Sequence, residues 1–214
     1  MWYALSMLSL RAPLVLGSKS PRRSELLDQI GLSFFVRPAE VDESSFSGEM
    51  PESYVESYVE RIALAKLNAV AHELENESKD WCAVLVADTS VSLAGSILGK
   101  PQDLEDSLRM VSRLAGTSHE VFTCYGLEER NTQRRVFRTV RTLVTMRQAS
   151  QLELAAYVET GEGMDKAGAY GIQGGAACLI QGITGSYSNV VGLPLCELVV
   201  DLGALSLLEN SGAG

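Results

Sequence analysis

The 214-residue sequence has few of the features that mark several common protein classes. Cysteine is sparse: Cys82, Cys124, Cys178 and Cys196 are the four, and no two form a C-x-x-C pair. The two histidines, His72 and His119, stand apart from each other and from the cysteines. That spacing predicts neither a zinc site nor a disulfide framework, and it fits a reducing, cytoplasmic setting. Positive charge is also in deficit: 18 Lys and Arg against 27 Asp and Glu leave a formal net charge of -9. A nucleic-acid scaffold needs a broad basic face, so no nucleic-acid partner is expected. One small phosphorylated ligand remains compatible, because a few local cations override a distant, screened acidic field. No apolar run approaches the length of a membrane span, so no membrane partner is expected either. The sequence contains no G-x-x-x-x-G-K-[ST] and no G-x-G-x-x-G. The first absence disfavours P-loop kinase chemistry and the second leaves a dinucleotide site unsupported.

What is present reads as an ordinary globular chain, with 46% hydrophobic and 21% charged residues. Leu14-Val15-Leu16 reads as a short buried strand. Ser20 is placed as the N-cap of a helix with Pro21 at its first position, and Gly31 ends that helix. A second strand is predicted over Phe34 to Arg37. Pro51 opens a long helix whose apolar positions Val55, Val59, Ile62, Ala63, Leu67 and Val70 recur near a 3.6 period. Ala83 to Ala87 reads as a central strand, and Ala94-Gly95-Ser96 joins two short strands in a hairpin. A helix is expected from about Asp103 to Ala115, strands over Glu120–Leu127 and Val136–Met146, and a helix opened by the Ser150/Glu153 capping box. The stretch from Gly161 to Gly192 is rich in glycine, and a last helix begins near Pro194. Strands and helices interleave while hairpins also occur, which predicts an α/β protein with a mixed β-sheet and flanking helices. Residues 1–12, apolar and without a basic start, are expected to be an N-terminal extension. Residues 13–208 are expected to form the domain and 209–214 a flexible tail.

Five constellations carry chemistry. Ser18-Lys19-Ser20-Pro21-Arg22-Arg23 runs from a strand end into a helix start, where free N–H groups and the positive end of the helix dipole converge. Cations are unfavourable at a helix N-terminus, so Arg22 and Arg23 in succession point to a compensating anion. The plainer alternative is a capped helix with a solvated basic turn. Ala87-Asp88-Thr89 is placed at the carboxyl end of an apolar strand, where α/β sheets gather ligands. Its carboxylate can hold Mg²⁺ or simply cap a turn. Gly99-Lys100-Pro101 follows the hairpin, and by itself Lys100 reads more simply as an exposed loop lysine. Lys66 falls on the apolar stripe of the long helix, as a ligand or as a lysine snorkelling at the stripe edge. Glu43 is an acidic loop residue whose simpler reading is solvation. Finally, Asp165 to Gly174 (DKAGAYGIQG) combines glycines that allow close backbone approach with Gln173, an amide able to donate and accept.

Together these pieces resemble the Maf family of nucleotide pyrophosphatases. SKSPRR at 18–23, ADT at 87–89, GKP at 99–101, DKAGAYGIQG at 165–174 and NVVGLP at 189–194 stand in the family's order and spacing, over about Leu14 to Leu202. The resemblance implies a Maf/ITPase-like fold, with two lobes around a central cleft, and a homodimer. It implies Mg²⁺-dependent hydrolysis of a nucleoside triphosphate to monophosphate and pyrophosphate. SPRR, ADT and GIQG resemble the branch acting on dTTP and UTP rather than the one acting on 7-methyl-GTP, with Arg22, Thr89 and Gln173 as specificity positions. By the same resemblance Asp88 is the catalytic acidic residue and, with Glu43, a metal ligand. Ser18, Arg23, Lys66 and Lys100 match further substrate-binding positions. Lys19, Ser90, Cys124 and Tyr125 depart from the family's usual residues. A pool-cleaning pyrophosphatase for modified nucleotides, or a non-catalytic regulator of cell division, are the alternatives.

Overall fold

The computed structural model describes residues 8–39, 41, 53–74 and 78–209. Among them a seven-stranded mixed sheet has the order β2-β1-β3-β5-β6-β7, with β4 paired to β3. Strand β1 (Leu14–Leu16) lies parallel to β2 (Phe34–Val36) and to β3 (Ala83–Leu93). The rest of the sheet is antiparallel: β4 (Ser96–Leu98), β5 (Ser118–Glu129), β6 (Arg135–Met146) and β7 (Ile180–Thr184).

Alternation along the strands sorts the core onto two faces. Leu14 and Leu16, Ala83, Leu85 and Ala87, and Val121, Tyr125 and Leu127 face the larger cluster. That side is covered by α1 (Pro21–Gln29), α3 (Leu104–Leu114), α4 (Gln151–Glu159), α5 (Tyr187–Val191) and α6 (Leu195–Ala204). The opposite positions, Val15, Val84 and Val86, pack on Leu67 and Val70 of α2 (Ser53–Glu73). Further along α2, Val55, Val59 and Ala63 meet Phe122 and Cys124 of β5. The expected α2 stripe is therefore the buried one, while its expected opening residue, Pro51, lies outside the described residues.

Helix ends follow local chemistry. Gly31 (φ 74) closes α1 in a Schellman motif: its N–H donates to Asp28 O and that of Leu32 donates to Leu27 O. The Ser150/Glu153 capping box opens α4 with both reciprocal bonds formed. Ser20 is the N-cap of α1, yet its side chain makes no capping bond.

One expectation needs correction. Asp88 does not end a strand: β3 continues through Asp88-Thr89-Ser90 to Leu93. The polar triplet reads as a terminus, but β5 pairs across it without a break, with Asp88 opposite Cys124 and Thr89 opposite Thr123. The other edge of β3 behaves differently. β1 pairs with it only as far as Leu85, and β4 only from Val91. Among the described residues, 86–90 thus have no strand neighbour on that edge, and the chain leaving β1 turns away at Gly17 into the start of α1. Gly17 sits so close to β3 that a Cβ there would lie 2.7 Å from the Val86 side chain. The glycine-rich stretch also holds a strand and a helix that were not expected, β7 and α5, and two short 3-10 turns over Ala167–Ala169 and Gly175–Leu179.

Candidate active site

The notch beside β3 opens into a cavity of about 660 Å³. Ser18, Arg22, Arg23, Lys66, Asp88, Thr89, Lys100 and Gln173 all line it, although they come from five separate stretches of chain. Glu43 lies outside the described residues.

At one end, the loop after β1 and the first turn of α1 form the wall. Ser18 Oγ accepts from the Ser20 N–H at 3.2 Å and from Arg23 Nη1 at 2.9 Å. The buried Arg23 guanidinium also donates through Nε to Gly192 O (2.8 Å) and through Nη2 to Thr89 Oγ1 (3.1 Å). Its planar fork thereby ties together α1, β3 and the end of α5, a task a lysine's point charge would not perform. Thr89 continues the network to Thr123 Oγ1 at 2.9 Å, and Thr123 donates to Asn189 O at 3.1 Å. Asn189 is fully buried and its amide reaches Val121 O and Thr142 Oγ1, which anchors the NVVGLP segment on the sheet.

Asp88 points to the α2 side of β3. Lys66 Nζ donates to Asp88 Oδ1 at 2.9 Å, and both residues are buried. Lys66 occupies the α2 stripe as the sequence suggested; a carboxylate across from it, rather than snorkelling, explains why. The pair separates the two apolar clusters beneath α2. Asp88 Oδ2 makes no protein hydrogen bond among the described residues.

The other end is built by the loop from Gly161 to Gly175 and the turn after β4. Lys100 is exposed at the cavity, and the Gly168 N–H donates to Gly99 O at 3.0 Å, joining its turn to the glycine-rich loop. Gly168 adopts φ 72 there, with Val91 packed beneath it. Arg22 reaches across the mouth to Asp165, at 2.9 Å. Burial works against the Asp165 carboxylate, but hydrogen bonds from Lys166 and Arg22 outweigh it and hold its pKa down at about 2. Gln173 is exposed and makes no hydrogen bond among the described residues.

Tyr157 and Glu162 escaped the sequence reading, Tyr170 entered it only as part of DKAGAYGIQG, and His119 only as an isolated histidine. His119, on β5, is fully buried, and its Nε2 lies 2.7 Å from the hydroxyl of Tyr170 in the loop. Burial lowers its pKa to about 4, so the ring is neutral. Glu162 had a signal in the sequence, a carboxylate between Gly161 and Gly163 in a stretch whose crowded glycines expose backbone donors. His119 had none, because nothing local links it to Tyr170.

Among the described residues no three His, Cys, Asp or Glu side chains cluster as a metal cage. A Mg²⁺ ion that also takes phosphate oxygens and waters needs only one or two carboxylates. The Asp88 oxygen not bonded to Lys66 suits that requirement.

A family model described as Maf-like protein matches residues 13–205. The chain is 44% identical over 197 residues to the dTTP/UTP pyrophosphatase of Citrifermentans bemidjiense, covering 92% of this chain and 97% of that one. It is 46% identical over 197 residues to the protein of the same description from Desulfotalea psychrophila, covering 92% and 96%. The corresponding Myxococcus xanthus protein is 45% identical over 199 residues, covering 93% and 92%.

Proposed function

Because the chain belongs to the family of Maf-like proteins, we propose that it is a nucleoside triphosphate pyrophosphatase that hydrolyses dTTP and UTP to the nucleoside monophosphate and pyrophosphate. The observation that carries this reading is the shared cavity. Arg23, Lys66 and Lys100 meet there with a carboxylate, Asp88, and with an amide, Gln173, toward the opposite end.

Water attack on the α-phosphorus forms one P–O bond and breaks the bond to the β-phosphate oxygen. The obstacle is repulsion between an oxygen nucleophile and a polyanion, so the site must neutralise charge and align the attack. Arg22, Arg23 and Lys100 bind the phosphates, and the first turn of α1, whose N-cap Ser20 makes no side-chain bond, lines the same space. Ser18 holds the Arg23 guanidinium toward the phosphates. Lys66 holds Asp88 in place through their ion pair, so that Asp88 orients the attacking water. Asp88, with Glu43, would hold Mg²⁺, which supplies charge neutralisation on the phosphate oxygens.

Gln173 reads the base. A 4-oxo pyrimidine presents an acceptor where cytosine presents a donor, and a fixed amide rejects the wrong partner because a group is left unpaired. Thr89 bonds to the Arg23 guanidinium, and its influence on substrate choice runs through that residue. The enzyme acts in the cytoplasm as a homodimer; no described helix is long and apolar enough to cross a membrane.

The test is a nucleotide panel of UTP, dTTP, CTP, 5-methyl-UTP and 7-methyl-GTP, scored for pyrophosphate against orthophosphate, with and without Mg²⁺. Pyrophosphate from UTP and dTTP, dependent on the metal, is expected. Orthophosphate release, or equal turnover of CTP and UTP, would overturn the reaction or the base reading respectively. Preference for 5-methyl-UTP over UTP would favour a pool-cleaning role. Light scattering checks for twice the 23.1 kDa chain mass.

A further inference from the structure

An amide that separates a 4-oxo from a 4-amino pyrimidine must be presented to the base edge from one place. Gln173 makes no side-chain bond among the described residues, so that place is set by the backbone that carries it.

That backbone is the turn Gly171–Gly175, closed by the Gly174 N–H donating to Gly171 O at 3.1 Å. Each end of the turn is tied to the same carboxylate. The Gly175 N–H donates to Glu162 Oε2 at 2.6 Å. The Gly171 N–H donates to the Tyr157 hydroxyl at 3.2 Å, and that hydroxyl donates to Glu162 Oε1 at 3.2 Å. The two tied residues flank Gln173 symmetrically, two positions to either side. Packing agrees with the bonds: a Cβ at Gly174 would lie 2.3 Å from Glu162 Oε2, and one at Gly171 would lie 3.2 Å from Oε1. At Gly174 the carboxylate alone leaves no room for a side chain, and at Gly171 it shares that role with Lys166, whose Cε would lie 2.8 Å from a Cβ. Neither glycine has a positive φ.

The clamp is anchored in the core. Tyr157 belongs to α4, and its ring is buried in the main apolar cluster. Burial pushes the phenol well above its ordinary pKa, so the hydroxyl keeps the proton it donates. Both Glu162 oxygens are occupied by protein donors, which argues against Glu162 as a metal ligand even though it lines the cavity.

We propose that Tyr157 and Glu162 are positioning residues for base selection: the chain from α4 through the phenol and the carboxylate fixes the Gly171–Gly175 turn, and with it the point from which the Gln173 amide extends. The inference rests on Gln173 reading the base, as proposed above. Tyr157 does not line the cavity and both Glu162 carboxylate oxygens are bonded to the phenol and the turn, so the clamp acts on which nucleotide is accepted rather than on the chemical step.

The experiment measures kcat and KM for UTP and CTP with the full chain and four variants: Gln173→Ala, Tyr157→Phe, Glu162→Gln and Glu162→Ala. Tyr157→Phe keeps the ring and its packing and removes only the hydroxyl. Its UTP-over-CTP preference in kcat/KM is expected to fall by roughly fivefold to tenfold, chiefly through a higher KM for UTP. Glu162→Ala is expected to approach Gln173→Ala. Glu162→Gln, which keeps an acceptor for Gly175, is expected to retain part of the preference. If Gln173→Ala loses the preference while Tyr157→Phe keeps it, the clamp is wrong and the base reading stands. If Gln173→Ala keeps it, the base reading itself fails. An equal loss of kcat for both nucleotides in Tyr157→Phe would mean a purely structural hydroxyl and would also overturn the proposal. Should Glu162→Ala not fold, the isosteric Tyr157→Phe decides the matter alone.

Discussion

The two ends of the cavity are built by opposite means. At the proposed phosphate end, buried side chains from distant elements bond one another: Lys66 to Asp88, and Arg23 to Ser18, Thr89 and Gly192. At the proposed nucleoside end, Gln173 is exposed and the shape comes from backbone N–H groups bonded to Glu162 and Tyr157. Chemistry on a polyanion demands charges that do not relax during the reaction, and a β-strand flanked by a long helix provides that rigidity. Telling one base from another demands a contour, and glycine turns supply contours that side chains would obstruct.

If that division holds, damage at the phosphate end should cost stability as well as turnover, while damage at the nucleoside end should change selectivity. The largest effect is expected for Lys66→Ala, which strands the Asp88 carboxylate in a buried site. A loss of about 3–5 kcal/mol in urea-unfolding free energy is expected, and a loss under 1 kcal/mol would show the pair to be effectively solvated. His119 gives the next test, since it joins β5 to the loop through Tyr170. Its ring takes up a proton at 6.5 when unfolded but only at about 4 when folded. The unfolded state therefore binds the proton first as the pH drops. Stability should decline from pH 6.5 toward 4, by about 3 kcal/mol at 1.36 kcal/mol per tenfold. Urea titrations across that range should show a flatter decline in His119→Gln. Asp88→Asn is isosteric, and its turnover should fall by roughly a hundredfold, about 2.7 kcal/mol in the barrier, with KM nearly unchanged. The smallest effect is expected for Asp165→Asn. Its side chain is 61% exposed, so freeing Arg22 should change stability by less than about 1 kcal/mol. The salt dependence of KM for UTP should report it instead.

The sequence announces some of this architecture and conceals the rest. Helix limits were legible where a cap is local: Gly31, Asp103 and the Ser150/Glu153 box sit where their chemistry requires. The SKSPRR turn was legible because two arginines at a helix start oppose the dipole. Lys66 was ambiguous for a definite reason: its partner lies 22 residues away on a strand, and no periodicity reports a contact across layers. β3 was cut short because Asp88-Thr89-Ser90 is polar; pairing to β5 and partners on both faces sustain the strand against its local propensity. β7 and α5 were hidden in a glycine-rich stretch whose order is tertiary, fixed by Asn189 and by pairing with β6.

The bare flank of β3 at 86–90 has a further implication. Successive side chains on a strand ordinarily address separate compartments, divided by the sheet itself. Here Asp88 is directed toward α2 and Thr89 toward the larger core, yet both reach the same cavity. A guest lodged against an unpaired border can be gripped from above and below at once, by residues adjacent in the chain. Extending β1 by two residues and carrying β4 two residues past Leu98 would close most of that border and leave each with a different room.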